Sequence, residues 1–255
     1  MYKTINEISD WEDLQKQVEI IFTELGYRAK VNERIDLNNG AKVNVDVLAL
    51  KGENVLSQKI LIECKLWNSS IPRSVVQSLK MDVQEAGANY GIIISKQGFQ
   101  SGSYEGIALT TVKLLTFEEL QKNIADEWMF QVFAPLKEKY NILVDFSRNF
   151  EYNTVERATF EKFQINDELK KNAWEVQNKV NMSLAFWKDW LPKDIYMKMK
   201  PTSLVGGKKI NVTDTRSFAN EINILFDETF NLINSYNDKI SKLSPDELKI
   251  VFDQI

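Results

Sequence analysis

The chain has 255 residues, of which 44% are hydrophobic and 27% are charged, and its formal net charge is -4 at pH 7. This is the composition of an ordinary soluble globular protein with room for one large domain or two modest ones. No apolar run approaches the roughly eighteen residues of a membrane span, and the N-terminus lacks the basic start and apolar centre of a secretion signal. We therefore expect a cytoplasmic protein that makes no use of a membrane.

The chain contains no histidine and a single cysteine, Cys64. The lack of histidine excludes Ser-His and Cys-His nucleophiles, histidine-based nucleases and HExxH metalloproteases, because each of these sites needs an imidazole. One thiol can form neither an intramolecular disulfide nor a Cys/His zinc site. Any catalysis must depend on carboxylates, lysine, hydroxyl groups or a hard metal ion. The net charge neither supports nor excludes a nucleic acid as partner.

Helical and strand patterns alternate over residues 1–122. The first helix carries an apolar stripe that begins at Trp11 and ends before Gly26, and Ser9 with Glu12 predicts a capping box at its start. The elements that follow are a hairpin with the turn LNNG, a third strand near residues 59–67, a helix over 71–87, the strand YGIIIS, a helical stretch, the strand TVKLLT and a helix capped by Thr116 and Glu119. This order predicts an α/β fold in which helices flank a mixed sheet.

Long amphipathic patterns replace the strands from residue 123 onward. Apolar residues recur at helical spacing from Leu169 to Leu191 and again from Ile222 to Ile240. The segment YNILVDFSRNFEY is compatible with a small β element, LVGGKKINV resembles a hairpin, and Ser244 begins a final short helix. Residues 123–255 are therefore expected to form a mainly α-helical second domain.

Two charged residues interrupt the apolar segment ILIECKLW. Because side chains alternate across a strand, Glu63 and Lys65 share one face, about 7 Å apart, and the Cys64 side chain points to the other face. An unpaired buried charge would cost several kcal/mol, so a compensating group is expected. Asp46 faces outward from the preceding strand, and antiparallel pairing brings it to Glu63. The alternative is a solvated strand end, where such a pair contributes at most about 1 kcal/mol.

Two carboxylates and a lysine in this arrangement supply what the hydrolysis of a phosphodiester needs. Carboxylates hold Mg²⁺, which prefers oxygen ligands and keeps several waters. The ion polarises the phosphate and lowers the pKa of a bound water, while the ammonium group orients this water or offsets charge that develops on the phosphate oxygens. The chemistry requires no histidine.

The spacing of Asp46 and the tripeptide Glu63-Cys64-Lys65 resembles the D…(D/E)xK signature of the PD-(D/E)XK nuclease superfamily. The leading WED helix and the segments VNVDVLALKG, ILIECKLW and GIIISKQGFQSG are more narrowly similar to the Mrr-type restriction endonuclease catalytic domain, over about residues 9–120. The resemblance implies that Asp46, Glu63 and the backbone carbonyl of Cys64 ligate the metal. It also implies that Lys65 is the catalytic lysine.

Two further positions match the family more weakly. Glu12 stands where many members carry an acidic residue that contacts the metal directly or through water, although the capping box with Ser9 explains Glu12 as well. Gln77 resembles an accessory polar residue near the site, and an ordinary exposed helix position is the alternative.

The function implied by the resemblance is a Mg²⁺-dependent endonuclease, with Mn²⁺ as a substitute ion, that hydrolyses DNA in restriction or anti-phage defence. A homodimer is expected for double-strand breaks, since each strand needs an active site. The helical domain is expected to serve in sensing, specificity or dimerisation, through DNA, a partner protein or an activating ligand. The alternatives are a non-catalytic nucleic-acid-binding or assembly module, which the intact Asp46, Glu63 and Lys65 disfavour, and a nuclease for RNA or branched DNA.

Overall fold

The structure is a computed structural model, and the chain divides into two compact units, Met1–Val132 and Phe133–Ile255. The backbone is described for residues 8–105, 107, 110–154, 167–189, 202–205, 208–211 and 214–242. Trp128 donates its indole N–H to Glu24 Oε2 at 2.7 Å, so contacts within the first unit continue beyond residue 122. The domain boundary at residue 122 stays a prediction.

Helix α1 (Trp11–Glu24) opens the first unit, and its N-cap is Asp10. The Asp10 carboxylate accepts the backbone N–H of Asp13 at 2.8 Å, and Asp13 Oδ2 accepts the backbone N–H of Ser9 at 2.9 Å. The predicted capping box of Ser9 and Glu12 is therefore wrong by one residue. Aspartate caps a helix as well as serine does, and here the second of two adjacent capping residues is used. The Glu12 side chain is exposed and is not required for this cap.

Five strands form one sheet in the order β1-β2-β3-β4-β5. Their bounds are β1 (Arg28–Asp36), β2 (Lys42–Lys51), β3 (Gln58–Lys65), β4 (Tyr90–Ser95) and β5 (Val112–Thr116). The first three strands form an antiparallel meander. The last three are parallel, so each connection carries a helix, α2 (Arg73–Glu85) and then α3 (Ser101–Glu105). The predicted α/β fold with a mixed sheet is confirmed.

Helix α2 packs closely on β4 within an apolar core. A side chain at Gly91 would bring its Cβ within 2.6 Å of Val83 Cγ2, so glycine is what allows the helix to approach the strand. The buried residues of this core cluster are Val45, Leu61, Val76, Leu79, Val83, Ala86, Ile93, Val112 and Leu114. Together they fix the helix over the sheet, and Glu63 and Lys65 follow Leu61 at the C-terminal end of β3.

Helix α4 (Phe117–Thr154) begins with the predicted capping box. Glu119 Oε2 accepts the backbone N–H of Thr116 at 2.7 Å, and Thr116 Oγ1 accepts the backbone N–H of Glu119 at 3.1 Å. The small β element predicted for YNILVDFSRNFEY is wrong, because this segment lies within α4. Leu143 and Ser147 are buried one turn apart while Ile142 is exposed, which is the periodicity of a helix.

The described residues beyond α4 form two long helices and a hairpin. Helices α5 (Asp167–Asp189) and α6 (Thr215–Ile240) match the two predicted amphipathic segments. The strands β6 (Thr202–Val205) and β7 (Lys208–Asn211) pair antiparallel, as the sequence predicts. The predicted mainly α-helical C-terminal region is confirmed, whereas Leu191 and the short helix at Ser244 lie outside the described residues.

Helices α5 and α6 are joined by polar as well as apolar contacts. The buried hydroxyls of Ser183 and Thr229 lie 2.9 Å apart, and Lys179 Nζ lies 2.7 Å from Glu228 Oε2.

In the part of the chain that the structure describes, no helix combines the length and the apolar character needed to cross a membrane.

Candidate active site

The ladder between β2 and β3 ends at the pair Val47–Ile62, three residues before the end of β3. A continued register would pair Cys64 with Val45. Instead, the backbone N–H of Cys64 donates to Asp46 Oδ2 at 2.8 Å. At this point of the sheet, the Asp46 side chain thus takes the place of a backbone acceptor on β2.

Three charged side chains meet where the β2–β3 ladder ends. Lys65 Nζ lies 2.5 Å from Glu63 Oε2 and 3.1 Å from Asp46 Oδ2. The exposed fraction is 18% for the Lys65 and Glu63 side chains and 14% for Asp46, so these groups do not form a solvated strand end. The structure therefore shows the convergence that strand alternation and antiparallel pairing predict.

The ammonium group of Lys65 is the counter charge for both carboxylates. Burial raises the pKa of Glu63 above its ordinary value and the Asp46 carboxylate raises it further, while the hydrogen bond from Lys65 acts in the opposite direction. Burial lowers the pKa of Lys65, but the hydrogen bonds and charges of Glu63 and Asp46 outweigh this effect and raise it overall. Lys65 is thus protonated at neutral pH, and the cluster can accept a further cation once Glu63 is ionised.

The Cys64 side chain lies on the opposite face of β3 and is fully buried. Burial raises the pKa of this thiol well above its ordinary value, and the nearby carboxylates of Asp46 and Glu63 add to the increase. A protonated, inaccessible thiol is neither a nucleophile nor a metal ligand. Cys64 can contribute to the cluster only through its backbone.

Residues 6–124 match the family model of the Mrr catalytic domain, which is described as a restriction endonuclease. This segment is a restriction endonuclease domain of the Mrr type. The resemblance inferred from the sequence is therefore confirmed, over a range close to the expected residues 9–120. The reaction class that the family implies for this domain is that of a nuclease, which hydrolyses phosphodiester bonds.

Two solved structures are similar to the chain at low sequence identity. One, described as the protein of unknown function AF1548, is 12% identical with a TM-score of 0.39, and the alignment covers 89% of this chain and 100% of that one. The other, the DNA modification-dependent restriction endonuclease AspBHI, is 15% identical with a TM-score of 0.31, and the alignment covers 47% of this chain and 33% of that one. No curated protein matches the sequence of this chain.

The oxygen atoms near the charged cluster of the Mrr-type domain fit a hard divalent cation. Asp46 and Glu63 supply carboxylate oxygens and Cys64 supplies a carbonyl oxygen, which is the kind of ligand that Mg²⁺ and Mn²⁺ prefer. No thiolate or imidazole is present for zinc. Among the described residues, no three acidic or cysteine side chains are grouped for metal binding, so water molecules would complete the coordination shell.

Glu12 and Gln77 lie outside the charged cluster of the Mrr-type domain. Glu12 is exposed on the first turn of α1, and it forms no metal-binding group with Asp46 and Glu63 in the described chain. Gln77 is half-buried on the second turn of α2, the helix that follows β3. The metal role of Glu12 and the accessory role of Gln77 stay predictions.

The sequence did not predict the contact between Trp11 and Cys64. The position of Trp11 in the apolar stripe of α1 predicts a core residue, yet its side chain is 42% exposed, and its Nε1 donates to the backbone carbonyl of Cys64 at 2.8 Å. A signal was present in the sequence, because tryptophan is the one apolar side chain in this stripe that carries a hydrogen-bond donor. Its partner could not be read from the sequence, since 53 positions separate the two residues.

Proposed function

We propose that the Mrr-type domain is a Mg²⁺-dependent endonuclease that hydrolyses DNA phosphodiester bonds, with Mn²⁺ as a substitute ion. The observation that carries this proposal is one ammonium group that joins two largely buried carboxylates beside a backbone carbonyl at the end of β3. Such a group of charges is costly to bury and adds little to stability, which favours a functional reason for its presence.

In the proposed mechanism, Asp46, Glu63 and the carbonyl oxygen of Cys64 would hold the ion. When bound, the ion supplies Lewis-acid activation of a water molecule and of the scissile phosphate. Lys65 remains protonated through its contacts with both carboxylates and donates a hydrogen bond to the attacking water or to a phosphate oxygen. Strand β3 carries Lys65 one position beyond the carbonyl ligand, which keeps the donor close to the reacting atoms.

The supporting roles belong to the same proposal. Glu12, whose carboxylate is exposed on the first turn of α1, would contact the ion directly or through water. Gln77 acts as an accessory polar group at the edge of the site. Glu12 follows Trp11, whose indole contacts the Cys64 carbonyl, and this places the first turn of α1 beside the proposed ligands.

The wider setting is proposed from the Mrr resemblance. The protein acts in the cytoplasm in restriction or anti-phage defence, and a homodimer supplies the two active sites that a double-strand break needs. The mainly helical region, proposed to begin at residue 123, serves in sensing, specificity or dimerisation by binding DNA, a partner protein or an activating ligand.

The test is cleavage of supercoiled plasmid by the full chain with Mg²⁺, with Mn²⁺ or with EDTA. The wild type should nick or linearise the plasmid only with a metal ion, and Asp46→Asn and Lys65→Met should each lose at least about 100-fold in rate. Lys30→Met is the matched control, because it removes an exposed ammonium on β1 whose ion pair among the described residues is with Glu33. Its rate should equal that of the wild type.

Parallel assays with single-stranded RNA and with a four-way DNA junction distinguish the alternative substrates. Metal-dependent cleavage of either one, with the plasmid left intact, would replace duplex DNA as the substrate. An inert protein that binds DNA but no metal would contradict the proposal and favour the non-catalytic module.

A further inference from the structure

The carbonyl group of Cys64 lies beyond the last pair of the β2–β3 ladder. The backbone N–H of Cys64 points toward β2, where it donates to Asp46, and in a strand the N–H and C=O of one residue point to the same side. The ladder that would supply a donor from Val45 has already ended at Val47–Ile62. The orientation of this peptide therefore depends on side chains.

Trp11 donates a side-chain hydrogen bond to this carbonyl. Its Nε1 lies 2.8 Å from the carbonyl oxygen of Cys64. This hydrogen bond joins the first residue of α1 to the C-terminal end of β3. Trp11 is 42% exposed, so it is only partly packed, and the hydrogen bond is the specific contact that ties its ring to the strand.

We propose that Trp11 is a positioning residue for the metal ion, because its indole N–H orients the Cys64 carbonyl so that a lone pair of this oxygen faces the ligand group of Asp46 and Glu63. The inference rests on the proposed metal-dependent function. A carbonyl oxygen has two lone pairs, so it can accept the indole hydrogen and ligate a cation at the same time. Partners that orient a ligand in this way typically change metal affinity about 10- to 100-fold when they are removed.

The first test measures the dissociation constant of Mn²⁺ by calorimetry on the full chain. Trp11→Phe keeps an aromatic ring and removes the donor, and it should bind Mn²⁺ about tenfold more weakly than the wild type. Trp67→Phe is the matched control. It removes an indole with a nearly equal exposed fraction, 43%, two residues after Lys65, and it should leave the dissociation constant unchanged. Asp46→Asn, which keeps an oxygen to accept the Cys64 N–H, should abolish binding.

The second test follows the indole N–H signals of the wild-type protein by NMR during a titration with Mg²⁺. The Trp11 signal is assigned in the wild-type protein itself, from through-bond and nuclear Overhauser connectivities. It should shift as the metal binds, and the Trp67 signal should not. A structural role alone would leave the Trp11 signal unmoved, and this measurement also decides the matter if Trp11→Phe fails to fold.

The outcomes separate this inference from the function on which it rests. Mn²⁺ binding that is lost in Asp46→Asn but equal in Trp11→Phe and the wild type would overturn the role of Trp11 and leave the metal site intact. Tighter binding by Trp11→Phe would also overturn it, since the indole would then compete with the ion for the carbonyl. A wild type that binds no metal would overturn both.

Discussion

Asn32 lies across the β1–β2 ladder from Asp46, and its backbone φ is 54°. The ladder pairs Val31 with Val47 and Glu33 with Val45, so Asn32 and Asp46 stand opposite each other at the one position between these pairs that the ladder skips. Among the described residues, Asn32 is the one non-glycine residue with a positive φ. Asparagine tolerates this conformation better than most residues, so its presence lowers the cost of a local distortion beside Asp46.

Substitution at Asn32 should separate backbone strain from side-chain contacts. Asn32→Gly should leave the free energy of unfolding within about 0.5 kcal/mol of the wild type, because glycine adopts a positive φ at no steric cost. Asn32→Val should lower it by about 1–2 kcal/mol, because a β-branched residue is disfavoured in the left-handed region. Urea denaturation measures both values. Equal stability of the two variants would show that the conformation costs nothing.

Replacement of Lys65 should separate catalysis from metal binding. Lys65→Met should reduce the rate of plasmid cleavage by about 100- to 1000-fold, because the ammonium donor to the reacting atoms is lost. Mn²⁺ binding should be as tight as in the wild type or tighter, since Lys65 Nζ now contacts both proposed carboxylate ligands. Calorimetry measures the affinity, and Lys30→Met serves as control. If Lys65→Met instead lost metal binding together with cleavage, the assigned role of the ammonium would be wrong.

The raised pKa of Glu63 predicts a specific dependence of stability on pH in the absence of metal. A carboxyl group with a raised pKa in the folded state binds its proton more tightly there than in the unfolded chain. Its favourable contribution is therefore present below the unfolded value, close to 4.5, and is lost as the pH rises through the folded pKa. The Glu63→Gln variant has no carboxyl group at this position, so its stability does not change with the ionisation of residue 63. The stability of Glu63→Gln relative to the wild type should thus increase from acid toward neutral pH.

Thermal unfolding in EDTA at several pH values from about 4 to about 7, the range in which the carboxyl group titrates, measures this difference. Lys65 is protonated throughout this range in both proteins. The loss of its Glu63 partner therefore changes the stability difference by the same amount at every pH. A relative stability that falls toward neutral pH would mean that the Glu63 carboxylate is favoured in the folded state.

Replacement of the buried Gln15 side chain by an apolar one should increase stability. The Gln15 side chain is 2% exposed on α1, one turn after Trp11, and its Nε2 has no hydrogen-bond partner among the described residues. A buried polar group without a partner costs about 1–3 kcal/mol. Gln15→Met has a similar shape and no donor, and it should raise the free energy of unfolding by about 1 kcal/mol in urea denaturation. A loss of stability would show that the amide has a favourable contact.

The sheet and the charged cluster could be predicted because both follow from strong local patterns. The order of elements predicts a mixed sheet, and side-chain alternation along β3 places Glu63 and Lys65 on one face. Antiparallel pairing with β2 then requires Asp46 to approach them, and the distances of 2.5 Å and 3.1 Å from Lys65 Nζ agree with this argument. Two buried carboxylates and one ammonium can be compensated in few other ways.

The remaining features depend on information that a local pattern lacks. Ser9 and Asp10 are equally good caps, so the start of α1 could be placed only to within one residue. The segment around Ile142 and Leu143 is rich in residues that favour strands, yet its neighbours in α4 extend the helical periodicity through it. Trp11 and Cys64 meet only because α1 lies beside β3, which is a tertiary relationship.

The charged cluster and its indole contact all come from residues 11–65, the helix and meander at the beginning of the sheet. Neighbouring strands of a meander close short loops, whereas β4 and β5 can join only after chain segments containing α2 and α3 have been spanned. Contacts of low sequence separation lose less chain entropy on closure and form sooner. During refolding, the contact between Lys65 and Asp46, which are 19 positions apart, should therefore form before the contact between Trp11 and Cys64, which are 53 positions apart.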